Sequence, residues 1–276
     1  MAHAIILSKD RPAQLHLCLE ALDSNAGHIF TNVTVLYDYS SSGFALGYEK
    51  TKSSFAKISW ILQDHYYDNV MELVDESFAL TSFFTDDDIT YRVLPCNLQQ
   101  IACNFEEMDE LGTFSLRLGL NTYIQDPYIA SRAVAPTSGF KNINDRMLIW
   151  KWADCPPYGN FGYPLSVDGH IFRTTELKRI LSACRFNNPN QQECAMQGQL
   201  SLLPPMMASF TDSVVVNTPL NRVQETCLNR SGESFGQDAE SMNQRYLNGE
   251  SLDLDSINFT EIVGCHQELK INWITK

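Results

Sequence analysis

Residues 78–88 read Phe-Ala-Leu-Thr-Ser-Phe-Phe-Thr-Asp-Asp-Asp, an apolar run that ends in three consecutive acids. The apolar part predicts a buried strand. Neighbouring carboxylates at the end of a buried strand raise one another's pKa values unless a cation lies between them. Mg²⁺ and Mn²⁺ prefer carboxylate oxygens and leave coordination positions open for phosphates. The stretch therefore suggests a metal–diphosphate site on Asp86, Asp87 and Asp88.

Strand and helix patterns alternate before this stretch. Short apolar runs at 3–8, 33–37 and 58–62 predict strands, and each is followed by a helical pattern. Such alternation predicts a parallel sheet with helices on both faces. In such a sheet, ligands bind at the carboxyl ends of the strands. Ser8 to Arg11, Asp38 and the three acids all occupy such ends.

The second half of the chain has a less regular pattern. Proline and glycine at 153–164 predict a loop, and polar residues at 229–240 predict a mobile loop. The remaining predictions are strands at 114–118, 146–152 and 166–172, and helices at 96–109, at 175–184 and from near Gln191.

Composition excludes some classes of protein. The formal net charge is −13, with 33 acids against 20 bases, which argues against a nucleic-acid-binding protein but not against a nucleotide ligand. The eight cysteines form no CxxC pair and favour free thiols. We find neither a signal-peptide pattern nor an apolar run of transmembrane length. These observations predict a cytoplasmic protein with no transmembrane segment.

Four motifs in this order resemble a known family. They are Ser8-Lys9-Asp10-Arg11-Pro12, Tyr37-Asp38, the three acids, and Asp168-Gly169-His170-Ile171-Phe172-Arg173. The chain resembles a glycosyltransferase of the GT-A fold, family 2-like group. The resemblance covers the first hundred residues well and is patchier from 110 to 225.

The resemblance implies an α/β fold, with a mostly parallel, Rossmann-like central sheet flanked by helices and a less regular C-terminal part. It implies one domain over 1–276, in which 1–110 bind the nucleotide and 111–276 supply the acceptor and catalytic half. The implied enzyme is a metal-dependent hexosyl- or deoxyhexosyltransferase. It would move a sugar from a nucleoside diphosphate sugar, a UDP-sugar in many relatives, to a hydroxyl of a glycan or other acceptor, with inversion.

Site residues carry over by position. The resemblance implies that Ser8, Arg11, Asp38, Asp86 and Asp87 contact the nucleotide sugar, with Asp38 on the base. A turn acid and a surface arginine are the ordinary alternatives for Asp38 and Arg11.

The implied metal is Mn²⁺ or Mg²⁺, and its implied ligands are Asp86, Asp88 and His266. A lone histidine is also common as a core or surface residue. A solvated acidic turn is the alternative for the acids.

Two acids compete as catalytic base, which must accept a proton from the acceptor hydroxyl. Glu193 aligns with the first acid of a pair that relatives carry at a helix start, but Cys194 replaces the second. Asp168 is the rival; it falls inside a predicted strand, where an acid is uncommon. We expect Glu193 as the base and Asp168 as a sugar or acceptor contact. An ordinary helix-face glutamate and an arginine-paired acid are the alternatives.

Two other functions stay open. A sugar-phosphate nucleotidyltransferase would share the sheet and the metal–phosphate chemistry, although no glycine-rich loop with a following basic residue follows the first strand. A non-catalytic carbohydrate-binding protein on a degenerate transferase fold would explain Cys194.

Overall fold

Strands and helices alternate along most of the computed structural model. It describes residues 1–124, 139–156, 159–224, 226 and 231–275. The strands in this part of the chain are β1 (Ala2–Lys9), β2 (Asn32–Asp38), β3 (Ser59–Leu62), β4 (Leu80–Thr85), β5 (Asp88–Thr90), β6 (Leu111–Ser115), β7 (Lys141–Asn144), β8 (Met147–Lys151), β9 (His170–Arg173), β10 (Met206–Phe210), β11 (Val215–Asn217), β12 (Glu250–Leu252) and β13 (Trp273–Thr275). The α-helices are α1 (Pro12–Ala26), α2 (Ser42–Ser54), α3 (Tyr66–Leu73), α4 (Leu98–Glu107), α5 (Thr174–Ser182), α6 (Pro189–Gln197) and α7 (Ala239–Leu247).

A nine-stranded sheet has the order β3-β2-β1-β4-β9-β6-β10-β8-β7. The first four strands in this order are parallel, as the alternation of strand and helix predicts. β9 is antiparallel to both β4 and β6, and β8 is antiparallel to both β10 and β7. β10 is parallel to β6, so within this sheet all strands except β8 and β9 point the same way. This sheet confirms the predicted α/β class, with a mostly parallel centre.

Helices cover both faces of the sheet because its strands are apolar on both sides. Ala4 and Ile6 of β1 pack in one buried cluster with side chains of α1, α2 and α4. Ile5 and Leu7 pack in a second cluster with side chains of α3, α5 and α6. Because both faces are covered, the polar groups of the predicted site lie at the carboxyl ends of the parallel strands.

Two predicted strands are displaced by several residues in the structure. The strand predicted at 114–118 is β6, which ends at Ser115, so Arg117 lies beyond the strand end. The strand predicted at 166–172 is β9, which begins only at His170. Gly169 has a φ of +65°, a left-handed conformation that strand residues do not adopt. The prediction of Asp168 as a mid-strand acid is therefore wrong; it lies in the turn before β9.

The C-terminal part adds short elements outside the central sheet. β11 pairs with β5, and β12 pairs with β13, both antiparallel. Within the loop predicted at 229–240, positions 229 and 230 lie outside the described residues. α7 begins at Ala239, where Asp238 caps the helix by accepting a hydrogen bond from the Ser241 N–H.

None of the helices in the described ranges is both long enough and apolar enough to cross a membrane. The seven described cysteines are free, as the cysteine pattern predicts, and Cys227 lies outside the described residues.

Candidate functional site

The predicted site residues come from strand ends that meet at one edge of the sheet. β1, β2, β4 and β6 point the same way, so the residues after each of them reach this edge. β9 runs in the opposite direction, so the residues before it reach the same edge. This topology brings Asp168 to the three acids, from which it is distant in sequence.

Asp86 is buried and is held by residues at and just after the end of β1. Its Oδ2 accepts a hydrogen bond from the Ser8 hydroxyl at 2.8 Å, and its Oδ1 lies 3.0 Å from Arg11 Nη1. Burial raises the pKa of Asp86 to about 6, Asp87 adds to the rise, and Arg11 opposes it. Ser8, Arg11 and Asp86 thus form one contact group.

Arg11 lies between two of the acids. Its Nη1 is 2.9 Å from Asp87 Oδ2 as well as 3.0 Å from Asp86, and its Nε donates to Asn221 Oδ1 at 2.7 Å. Burial works to lower the pKa of Arg11, but Asp86 and Asp87 outweigh it, so the pKa is raised. The surface-arginine alternative for Arg11 is therefore wrong. A guanidinium group already balances part of the charge of these acids.

Asp88 is buried without an arginine partner among the described residues. Its Oδ2 accepts the Thr85 N–H at 2.9 Å, and its Oδ1 accepts an Asn217 amide hydrogen at 3.1 Å. Asn217 stands opposite Asp88 in the β5–β11 ladder. Burial, Asp168 and Asp87, in that order, raise the pKa of Asp88 well above its ordinary value. Asp88 is 1% exposed, so it is no solvated turn acid.

Asp168 forms an ion pair with Arg117, a partner that the sequence did not identify. Its Oδ2 lies 2.9 Å from Arg117 Nη1, and its Oδ1 accepts the Thr85 hydroxyl at 3.3 Å. The arginine-paired alternative for Asp168 is the arrangement that the structure has. Arg117 follows β6 in the chain, and the residues after β6 reach this edge of the sheet.

His266 reaches the same group from the C-terminal end of the chain. An isolated parallel β-bridge pairs the backbones of His266 and Asn217. The Asn217 Oδ1 also lies 3.2 Å from His266 Nδ1. Arg117 Nη1 is 2.8 Å from His266 Nε2. Because guanidinium only donates and the amide oxygen only accepts, these partners imply a proton on Nδ1 and a lone pair on Nε2. The lone pair that would bind a metal therefore faces Arg117.

Glu193 extends from α6 toward the turn before β9. Asn188 caps this helix by accepting a hydrogen bond from the Gln191 N–H. Glu193 Oε1 accepts the Ser166 hydroxyl at 2.6 Å and the Val167 N–H at 3.2 Å. Burial, followed by Asp168, raises the pKa of Glu193 to about 7, while Arg117 lowers it. Glu193 is therefore not an ordinary helix-face glutamate.

Asp38 has a more exposed setting at the end of β2. Its carboxylate lies 3.0 Å from Lys9 Nζ, and its Oδ1 accepts the Tyr39 N–H at 2.8 Å. Asp10 joins this turn to the one after β1, because its Oδ1 accepts the Ser40 N–H at 2.7 Å. Asp38 is thus both a turn acid and a surface group that a ligand can reach.

The partners of the predicted residues that the sequence reasoning missed include Thr85, Arg117, Ser166 and Asn217. Arg117 carried a signal, since it lies close to a predicted strand end. Thr85 directly precedes the acids, but threonine is common in strands, so its presence there did not indicate a role in the site. Ser166 and Asn217 carried no signal, because only the packing of distant segments brings them to the edge.

The donors suit Mn²⁺ or Mg²⁺ in kind, since they are carboxylate oxygens with one imidazole nitrogen. In the described part of the chain, however, no three His, Cys, Asp or Glu side chains are grouped so that they could hold one ion. Arg11 engages Asp86, and Arg117 engages His266 Nε2. The structure therefore does not assemble the predicted set of Asp86, Asp88 and His266. Of these three, only Asp88 has no arginine partner among the described residues.

The charge at this edge is nevertheless unbalanced. Asp86, Asp87, Asp88, Asp168 and Glu193 supply five carboxyl groups, against the guanidinium groups of Arg11 and Arg117. The raised pKa values of Asp86, Asp88 and Glu193 express this excess of negative charge. The edge can therefore take up protons or a further cation.

Comparisons with known proteins give likeness of fold only. No family model matches the chain, and no curated protein matches it. Among solved structures, residues 1–349 of S. aureus TarS in complex with UDP-GlcNAc match with 15% identity and a TM-score of 0.49, over 85% of this chain and 63% of that one. The mannosyltransferase PcManGT from Pyrobaculum calidifontis, in complex with GDP-Man and Mn²⁺, matches with 8% identity and a TM-score of 0.40, over 77% of this chain and 54% of that one.

A nucleotidyltransferase is also among the matches. The CMP:2-keto-3-deoxy-manno-octonic acid synthetase complexed with CTP has 12% identity and a TM-score of 0.39, over 78% of this chain and 90% of that one. The chain covers between 36% and 63% of the length of the TarS chains that it matches.

Proposed function

We propose that this chain is a glycosyltransferase that moves a sugar from a nucleoside diphosphate sugar to an acceptor hydroxyl. One observation carries the proposal. A glutamate with a pKa of about 7 lies at the same sheet edge as a triplet of buried acids. A general base works best when its pKa is close to the operating pH.

The donor side of the proposal rests on the loops after β1, β2 and β4. Asp38 is the accessible acid for the nucleoside base, and uridine is the base that the resemblance implies. Ser8, Arg11, Asp86 and Asp87 form one connected group of hydrogen bonds, which suits the ribose and diphosphate. Arg11 is the cation of this group that could contact phosphate oxygens.

The base in this proposal is Glu193. Its Oε2 would take the proton of the acceptor hydroxyl while the hydroxyl oxygen attacks the anomeric carbon. The bond from that carbon to the diphosphate oxygen breaks, its electron pair leaves with the nucleoside diphosphate, and the configuration inverts. Asp168 is the weaker candidate for this step, since Arg117 and Thr85 hydrogen-bond to its two oxygens. Asp168 is proposed as a sugar or acceptor contact.

The proposal includes a metal ion with one protein ligand from the predicted set. Asp88 is the carboxylate that would hold Mn²⁺ or Mg²⁺, and a bound ion would neutralise charge on the leaving diphosphate. Asp86 and His266, the other two predicted ligands, have arginine partners in this structure. They stay predictions.

The remaining predictions also stay proposals. Residues 1–110 would bind the nucleotide, and 111–276 would bind the acceptor and supply the base. β9 of the second half pairs with β4 of the first half, which supports a single unit around one sheet. The hexosyl or deoxyhexosyl class of the sugar, the glycan nature of the acceptor and the cytoplasmic location are expectations of the same kind.

The test is turnover of a panel of nucleoside diphosphate sugars, read as release of the nucleoside diphosphate, with and without Mn²⁺. Wild type should release one nucleotide, and Glu193→Gln should lose about two to four orders of magnitude in rate. Glu106→Gln, in an exposed position on α4, is the matched control and should keep the wild-type rate.

Three outcomes would overturn the proposal. No turnover, with no rise in melting temperature on adding any nucleotide, would exclude the donor. Sugar binding without turnover would indicate a binding protein. Diphosphate release from a nucleoside triphosphate and a sugar phosphate would indicate a nucleotidyltransferase.

A further inference from the structure

Ser166 is a fully buried serine whose hydroxyl joins two acids of the candidate site. Its Oγ donates to Glu193 Oε1 at 2.6 Å and accepts the Asp168 N–H at 3.2 Å. The Val167 N–H also donates to Glu193 Oε1, at 3.2 Å. One short turn before β9 therefore supplies two donors to the same carboxylate oxygen.

These contacts treat the two oxygens of Glu193 differently. Oε1 is fixed by two donors, whereas the described residues supply no hydrogen bond to Oε2. A carboxylate that is anchored through one oxygen presents the other in a defined direction, and a general base needs such a direction. The long, flexible side chain of a glutamate would otherwise lose this orientation.

We propose that Ser166 is the positioning residue of the base, so that Glu193 is held through Oε1 and takes the acceptor proton on Oε2. This inference rests on the proposed function. Ser166 touches neither donor nor acceptor in this scheme. Its proposed effect on the reaction is exerted through Glu193.

The surroundings of Glu193 explain why a hydroxyl is needed there. Asp168, from the same turn, raises the pKa of Glu193, and Arg117 beyond β6 lowers it. Tyr163 lies nearby before the turn, where burial and then Glu193 raise the pKa of the phenol, and Cys194 follows on the helix itself. The hydrogen bonds from Ser166 and Val167 also favour the charged form of Glu193. Loss of the Ser166 hydroxyl should therefore raise the pKa further and free the side chain.

The experiment compares Ser166→Ala with Ser209→Ala. Ser209 is equally buried, and its hydroxyl donates to the Phe210 carbonyl in β10, so it controls for a lost buried hydroxyl. The pKa of Glu193 is measured by NMR titration of ¹³C-labelled glutamate carboxyls, with Glu193→Gln to assign the resonance. Ser166→Ala should raise this pKa by roughly half a unit to one unit, and Ser209→Ala should leave it unchanged.

Kinetics supply the second readout. In Ser166→Ala, kcat should fall roughly tenfold, the KM for the donor should stay within about twofold, and the acidic limb of the pH profile should move up with the pKa. Ser166→Thr keeps a hydroxyl and should restore the pKa and most of kcat. If the alanine variant does not fold, Ser166→Cys, which keeps a weak donor, takes its place.

The outcomes separate this inference from the proposed function. An unchanged pKa in Ser166→Ala, or an unchanged kcat in an active enzyme, would overturn the role of Ser166. Absence of sugar transfer by wild type would instead overturn the proposed function, and with it the catalytic meaning of any shift in the pKa.

Discussion

Arg117 and Asp168 form a buried ion pair, with 2.9 Å between Nη1 and Oδ2. The side chains are 2% and 11% exposed. The pair joins the segment after β6 to the turn before β9, and the same Nη1 lies 2.8 Å from His266 Nε2. Removing one partner of a buried pair leaves an uncompensated charge, which is more costly than replacing both partners.

Arg117→Met should therefore lower the free energy of unfolding by about 3–5 kcal/mol. Arg117→Met combined with Asp168→Asn should lose less than the sum of the two single changes, because neither charge is then left alone. Urea unfolding of the four proteins in this cycle measures the coupling. Additive losses would show that the pair contributes no coupling energy.

Lys9 and Asp38 form the contrasting pair, since their side chains are 51% and 30% exposed. Exposed pairs contribute little to stability, so Asp38→Asn should change the free energy of unfolding by at most about 1 kcal/mol. If Asp38 contacts the nucleoside base, the same change should weaken UDP binding by about tenfold, or about 1.4 kcal/mol. Calorimetric titration with UDP measures it.

Glu49→Gln is the control for this prediction, because Glu49 forms another exposed pair, with Lys52 at 2.7 Å. It should alter neither stability nor UDP binding. Equal UDP affinity in wild type and Asp38→Asn would remove Asp38 from the nucleotide site.

Arg11 should compete with a divalent cation for the acids. Its Nη1 lies 3.0 Å from Asp86 and 2.9 Å from Asp87, so wild type without nucleotide should bind Mn²⁺ weakly. Arg11→Gln removes this cation and should raise the affinity for Mn²⁺ alone by roughly tenfold. Electron paramagnetic resonance of free Mn²⁺ at pH 8 provides the measurement.

Two further variants bracket this prediction. Asp88→Asn should weaken Mn²⁺ binding, and Lys9→Gln, which changes a cation at the surface, should leave it unchanged. Chelation with EDTA should abolish sugar transfer if Asp88 holds a required ion. Full activity in EDTA would exclude the metal from the reaction.

The first half of the fold could be predicted because its signals are local. Each parallel strand is a short apolar run followed by a helix pattern, and a strand end is visible where the run meets an acid. Ser8, Arg11 and Asp86 could therefore be assigned to one sheet edge before their contacts were known. That assignment also used the rule that the carboxyl ends of parallel strands lie at the same edge of a sheet, where ligands bind.

The second half could not be predicted at the same level. β9 inserts between β4 and β6 against their direction, and such a non-local pairing has no signature in one stretch of sequence. This insertion places Asp168 against Arg117. Moreover, Gly169 adopts a left-handed φ, which ends the strand pattern before β9. Glycine adopts such a φ as readily as a negative one, so the sequence does not show which of the two it has.

The metal prediction shows a related limit. The three acids correctly indicated a need for positive charge, but the sequence did not reveal which cation meets it. Arg11 and Arg117 meet part of it, and they do so from positions that only the folded sheet brings near the acids.

The pH dependence of Glu193 follows from its raised pKa. Its pKa is about 7 in the folded chain, against an ordinary value of 4.5, so the folded state holds this proton more tightly than the unfolded state. Stability from this group is therefore fully present below about pH 4.5 and is lost as the pH rises through about 7, by on the order of 1–3 kcal/mol.

Glu193→Gln carries no titrating carboxyl, so between pH 5 and pH 8 it should lose less stability than wild type. Urea unfolding at the two pH values measures the difference, and the rate of transfer by wild type should rise over the same interval as the base loses its proton. Equal pH dependence of stability in the two proteins would mean that Glu193 titrates near its ordinary value, which would leave the site without a base suited to neutral pH.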